Sequence, residues 1–141
     1  MKHYKIFNHT ADLGVAFSGA TLPDLFCNAA LALFDLLVEG RGVPATEAPE
    51  MRDIAVAGAD LADLFVNFLR EVLYLFNGEG LILTACRIER IDDRNLIAGV
   101  CGERYNNKKH RARIEIKAVT YHQATVEKTA DGWKGKVVFD V

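Results

Sequence analysis

Cysteine and proline are both scarce in this chain, at three residues each among 141. The cysteines, Cys27, Cys86 and Cys101, are odd in number, far apart and never spaced C-x-x-C. A disulfide framework or a structural zinc site needs pairs, so neither is expected. The three residues read as small buried hydrophobes in a reducing compartment. Charge of one sign is missing too. Seventeen Lys+Arg against 19 Asp+Glu leave a formal charge of −2 and a pI near 6.1, which argues against a strongly cationic nucleic-acid binder and against an acidic disordered tail. The longest apolar stretches are interrupted by Asp35 or by Arg70-Glu71 and are too short to span a bilayer. The opening Met1-Lys2-His3-Tyr4-Lys5-Ile6 has no apolar h-region, so no secretory signal is expected. These absences predict a cytoplasmic protein with no membrane partner.

Local enzyme signatures are also lacking. G-x-S-x-G, G-x-x-x-x-G-K-[ST], G-x-G-x-x-G and H-E-x-x-H do not occur, which disfavours a hydrolase or nucleotide-binding enzyme built on a standard motif. Cys27 lies among apolar helix residues, a poor setting for a reactive thiolate. The expectation is a protein that is not an enzyme.

Half of the residues are apolar, and a chain of this size buries roughly two thirds of its unfolded surface. With no repeat, low-complexity tract or convincing linker, the pattern predicts one domain over residues 1–141. The loosest stretch, Gly40 to Glu50, holds Gly40, Gly42, Pro44 and Pro49 and reads as a loop from a helix to a strand.

Two amphipathic helices are expected. In the first, Thr21 caps the opening turn with Asp24 three residues on and Pro23 between them. Leu22, Phe26, Ala30, Leu33 and Leu37 then form an apolar stripe, and Gly40 is the expected stop. The second is capped by Asp60, with Asp63 near the positive end of the dipole. Leu61, Leu64, Phe65, Phe68, Val72, Leu75 and Phe76 share one face, and Asn77-Gly78 reads as its end. Strands are expected at Tyr4–Phe7, Gly14–Phe17, Arg52–Val56, Ile82–Ile91, Leu96–Gly102, Arg113–Tyr121, Thr125–Lys128 and Lys136–Phe139. This order predicts an α+β fold: a mainly antiparallel sheet, mixed in part, with two amphipathic helices packed on one face.

Few residues stand out as candidates for chemistry. His9-Thr10-Ala11-Asp12-Leu13-Gly14 joins the first two strands. Asp12 there makes either a simple Asx-turn or, with His9, part of a shared site. The closing Lys136-Val137-Val138-Phe139-Asp140-Val141 reads as strand to its last residue, which holds the Asp140 side chain beside the Val141 carboxylate. Either both are solvated, or they pair with a cation. If Asp12 comes near, three hard oxygen donors converge, a set suited to Ca²⁺ or Mg²⁺. Glu71 sits at the edge of the second helix's apolar stripe, where it either reaches solvent or serves a site. Lys117 alternates with Ile114 and Ile116, so it is either a solvated strand lysine or a charge partner of the carboxylates. The only basic run, Arg104, Lys108, Lys109, Arg111 and Arg113 around His110, has one aromatic, Tyr105. It reads as a charged loop, a weak nucleic-acid signal, or an element that steers binding to an acidic protein surface.

Taken together, these segments resemble the archease family. They are His9-Thr10-Ala11-Asp12-x-Gly14, the helix segment Phe68-Leu69-x-Glu71-x-Leu73-Tyr74-Leu75-Phe76, Gly102-Glu103 with His110, Glu115-Ile116-Lys117-Ala118-Val119-Thr120-Tyr121-His122, and the closing Val138-Phe139-Asp140-Val141. The likeness runs from Tyr4 to Val141. It implies a small α+β protein with a divalent-cation site, acting as a non-catalytic cofactor of an RtcB-type tRNA-splicing RNA ligase. Such a cofactor promotes the ligase's guanylylation and multiple turnover, and meets RNA only indirectly. Carried over by motif, Asp12, Asp140 and Val141 would be metal ligands for Ca²⁺ or Mg²⁺, while His9, Glu71 and Lys117 would belong to the functional surface. The alternative is a nucleic-acid-binding or chaperone-like modulator of RNA-processing proteins acting through the run 104–113.

Overall fold

Both helices begin at the caps written in their sequences. The computed structural model describes residues 3–8, 12–40 and 48–141. In chain order its elements are β1 (Tyr4–Asn8), β2 (Asp12–Gly19), α1 (Leu22–Leu37), β3 (Val38–Glu39), β4 (Glu50–Ala57), α2 (Leu61–Glu79), β5 (Leu81–Ile91), β6 (Asn95–Arg104), β7 (Arg111–Ala112), β8 (Ala118–Thr129) and β9 (Gly132–Asp140). The Thr21 hydroxyl accepts the Asp24 N–H at 3.2 Å, and the Asp60 carboxylate accepts the Asp63 N–H at 2.8 Å. Each cap satisfies one of the amide donors that a helix start leaves without an internal partner.

The helix ends differ from the sequence expectation. α1 stops at Leu37 rather than at Gly40, because Val38 and Glu39 turn extended and pair with Ala112 and Arg111. α2 runs through Asn77-Gly78 to Glu79 and is closed by Gly80 at φ 70°, whose N–H donates to the Leu75 and Phe76 carbonyls. That left-handed geometry costs glycine little. Asn77 is held inside the helix by a side-chain N–H that donates to the Ile116 carbonyl at 3.0 Å.

The strands form an antiparallel four-stranded sheet in the order β1-β2-β9-β8, a three-stranded sheet β4-β6-β5, and the short pair β3-β7. The α+β class with two helices and mainly antiparallel strands is as the sequence predicts. The division into separate sheets is new. α1 packs against β2 and β5, and α2 against β8 and β4, so the helices fill the space between the two larger sheets and each sheet carries both helices on one face. The residues from 113 to 117, expected as strand, are not paired as one. The Arg113 and Ile114 N–H groups donate instead to the Leu37 and Leu36 carbonyls, which α1 leaves without helical donors.

Phe65 of α2 stands at the centre of the buried cluster and is fully shielded from solvent. Its ring meets Phe26 of α1 at 4.9 Å and Phe17 of β2 at 6.0 Å, edge to face in both cases, the arrangement aromatic quadrupoles favour. A Cβ on Gly135 of β9 would lie 2.8 Å from the Phe65 ring, so glycine there makes room for it. Phe65→Ala is therefore expected to cost about 3–5 kcal/mol, read as a lower urea midpoint. A loss under about 1 kcal/mol would show that this ring does not knit the layers together.

Candidate functional site

The β2–β9 pairing brings residues 128 positions apart in sequence onto one level of a sheet, with Asp12 opposite Asp140 and Leu13 opposite Phe139. Phe139 points into the core, fully buried, whereas Asp140 and Val141 are exposed and Asp12 is half-buried. Directly opposed residues on antiparallel strands carry their Cβ atoms on the same face, about 4.5–5.5 Å apart. The two carboxylates thus project from one face at the sheet's end. On the other flank, Asp140 is level with Ala118 of β8, and the Lys117 N–H donates to the Asp140 carbonyl at 2.8 Å. This bond fastens the last strand beside the carboxylates, while Val141 follows it directly.

Asp12, Asp140, Val141 and the main chain of Lys117 are therefore neighbours, and the Lys117 side chain is exposed. His9 lies outside the described residues. Glu71 belongs to a different surface: it lines a groove between α2 and β4 together with Ala55, Val56, Ala57, Asn67 and Arg70. Among the described residues no group of three or more His, Cys, Asp or Glu side chains gathers in metal-binding geometry. The pair at the sheet end supplies two side-chain carboxylates, hard donors of the type Ca²⁺ and Mg²⁺ take, and these ions complete their shells with main-chain oxygen and water. The donor chemistry fits such a cation and fits poorly to zinc or copper.

Beside the groove is a cluster that sequence reasoning passed over. Arg70 donates to the Tyr121 hydroxyl at 2.8 Å and stacks over the same ring at 5.3 Å, and the Tyr121 hydroxyl donates to Asn67. Tyr121 can reach α2 because β8 leaves its register between Thr120 and Thr125, with Gln123 at φ 56°. Such bulges re-aim side chains, and a non-glycine residue in the left-handed region carries strain. The sequence signal was the gap between the strands expected at Arg113–Tyr121 and Thr125–Lys128, which here join into one irregular β8.

Much of the basic run is used within the fold. Arg104 binds both oxygens of Glu50 and donates to the Glu79 carbonyl, Lys109 pairs with Glu103 at 3.0 Å, and Arg113 donates to the Asp35 carbonyl at 2.9 Å. His110, expected in a charged loop, is buried at 1 % exposure and stacks on Tyr105 at 5.6 Å. Its Nδ1 accepts the Asn106 N–H at 2.9 Å, which leaves Nε2 as the protonated nitrogen, 3.6 Å from Glu103. Segment 104–113 thus closes one end of the three-stranded sheet rather than presenting a row of free cations.

Fold and site together define a small α+β protein with two helices between antiparallel sheets and an acidic pair where the first and last strands of its β2–β9 ladder meet. Residues 4–141 match the model of the Archease protein family (MTH1598/TM1083). The protein archease of Methanosarcina acetivorans is 39% identical over 99% of this chain and 97% of its own length, and that of Pyrococcus furiosus is 38% identical over all of both. The solution structure of protein 1598 of Methanobacterium thermoautotrophicum matches over the full length of both chains, with a TM-score of 0.78 and 28% identity. The crystal structure of an archease, possible chaperone, from Thermotoga maritima covers 97% of this chain and 96% of that one, with a TM-score of 0.62 at 24% identity. That last likeness concerns the fold alone. The chain belongs to the archease family.

Two measurements follow from this geometry. Like charges placed directly opposite on a sheet are destabilising, so Asp140→Asn in the presence of a chelator is expected to raise stability by about 0.2–1 kcal/mol; a loss would mean the carboxylates are compensated without a cation. Near the C-terminal end of α2, the Arg104 guanidinium hydrogen-bonded to Glu50, aided by Arg52, holds the Glu50 carboxyl below its ordinary range. A depressed carboxyl contributes stability above its unfolded pKa of about 4.3, and this is lost as pH falls through the folded value. Glu50→Gln is expected to lower the urea midpoint at pH 7 and to converge on the parent as pH falls through the lowered folded value. A gap independent of pH would place the effect outside this charge.

Proposed function

We propose that the protein is a non-catalytic cofactor of an RtcB-type RNA ligase, promoting guanylylation and repeated turnover of that enzyme. The reading rests on membership of the archease family over residues 4–141 and on the register that sets Asp12 against Asp140. Asp12 and Asp140 would hold a divalent cation, Ca²⁺ or Mg²⁺, with Val141 contributing main-chain oxygen. The cation supplies positive charge that offsets the opposed carboxylates. The chain's own part is to present these oxygens at a firm sheet end, where the Lys117 N–H fixes the Asp140 main chain. His9, Glu71 and Lys117 are proposed to contribute to the docking surface, with the Lys117 main chain beside the acidic pair and Glu71 in the α2–β4 groove. RNA is met through the ligase, in the cytoplasm.

The test compares ligase guanylylation with the parent protein, Asp12→Ala and Asp140→Ala. Strong stimulation by the parent and its loss in both variants is the expected result. Equal stimulation by all three removes the cation from the reading, and a parent that does not stimulate removes the partner. Calcium or magnesium at about 100 times its dissociation constant should stabilise the parent by about 2.7 kcal/mol and leave both variants unmoved.

A further inference from the structure

Cys27 and Cys86 are 59 positions apart in sequence, yet their sulfurs lie 2.8 Å from one another. Their meeting corrects the expectation of three isolated hydrophobic cysteines. Cys27 projects from the second turn of α1, and Cys86 from β5, the sheet strand against which α1 packs. Both thiols are free and both residues are half-buried, so the pair is held by packing but remains within reach of a small reagent.

The third cysteine is set apart by the pleat. Cys86 is opposite Val100, which is buried, and so faces the helices. Cys101 is opposite Met51, which is 73% exposed, and so faces away from them. Successive strand residues point to opposite faces, which leaves one dithiol on the helix side and one thiol on the outer side.

The two sulfurs of the pair are also unequal. The hydrogen bond between the two sulfurs, with the approach of the Ile88 N–H, lowers the Cys27 thiol below its ordinary value; its own burial and Asp24 act in the opposite sense. The same pairing, with burial, pushes Cys86 up. An attacking thiolate with a resolving thiol beside it is the arrangement that thiol–disulfide exchange requires. A soft-metal site is the less apt reading, since among the described residues the two sulfurs have no third side-chain ligand, and tetrahedral structural zinc takes four.

We propose that Cys27 and Cys86 form a redox-active dithiol that closes reversibly to a disulfide by exchange with a low-molecular-weight disulfide, tying α1 to β5. Closure needs the sulfurs to approach by about 0.8 Å from their present 2.8 Å to the usual bond length of about 2.05 Å. In the first step the Cys27 thiolate attacks one sulfur of the small disulfide, forming a mixed disulfide and releasing one small thiol. In the second, Cys86 loses its proton and attacks the Cys27 sulfur, releasing the second small thiol. Two protein thiols are oxidised, one small disulfide is reduced to two thiols, and the released thiols carry away both protein protons. Because the bridge spans 59 positions, it restricts the unfolded chain strongly.

The experiment incubates the full, reduced chain with oxidised glutathione, removes the reagent, unfolds the protein in an alkylating agent and measures intact mass and peptide map. The expected product is about 2 Da lighter than the reduced chain before alkylation. It carries one alkylatable thiol, Cys101, in place of the three free cysteines, and yields a linked Cys27–Cys86 peptide. Its melting temperature should rise by about 10 °C and fall back on reduction. Cys101→Ser should close as the parent does. Cys27→Ser and Cys86→Ser should end with a glutathione adduct or an unmodified thiol. Three alkylatable thiols after treatment, a parent that stops at the mixed disulfide, or a bridge that includes Cys101 would each overturn the proposal. If either serine variant fails to fold, the parent's peptide map decides alone.

Discussion

The antiparallel ladder between β2 and β9 is the constraint from which the rest of the molecule follows. It runs from Asp12 opposite Asp140 to Gly19 opposite Trp133, joining an early segment of the chain to its last strand. β1 and β8 then attach at the outer edges. One face of this ladder carries Val15, Phe17, Val137 and Phe139, all essentially buried. A slip of one residue would turn that set outward, so the apolar face fixes the register, and the register in turn brings the two aspartates together. The acidic pair is thus a consequence of core packing: the like-charge cost at the sheet's end is borne by Phe139 and Val137 behind it.

The helices convert this sheet into a three-layer structure. Phe26 and Phe65, in edge-to-face contact at 4.9 Å, let α1 and α2 present apolar side chains both to the four-stranded and to the three-stranded sheet. Helices that serve two sheets need apolar surface on more than one stripe. The buried residues of α1, from Leu25 and Phe26 through Ala29, Ala30 and Ala32 to Leu37, wrap well round its circumference. The dithiol and the α2–β4 groove with Glu71 lie at joints between these layers.

What could be read directly from the sequence was local. Thr21, Asp60 and their first-turn carboxylates marked helix starts because a cap is made by residues three apart. The helix ends were less legible. Leu37 stops α1 because Val38 and Glu39 find distant strand partners in Ala112 and Arg111, and α2 continues past Gly78 because Gly80 offers a better left-handed stop. The alternation of Ile114 and Ile116 looked like strand, yet the N–H groups of Arg113 and Ile114 close the end of α1. Proximity across the chain was legible only in part. The ordered closing segment pointed to a fixed Asp140, whereas nothing near Cys27 or Cys86 announced the other. The Tyr121 bulge showed itself only as a break between two expected strands.

The order of the four-stranded sheet has a consequence for how the chain comes into being. β9 follows β1, β2 and β8 in the chain and sits between β2 and β8, so until it is made the β1–β2 hairpin and β8 have no shared border. A nascent chain can form both helices and the β4-β6-β5 sheet early, but it must carry an open slot through most of its synthesis. Closing that slot is a distant pairing of the kind that sets slow folding rates. The acidic end is therefore assembled last, and a molecule interrupted before β9 would be unable to present it.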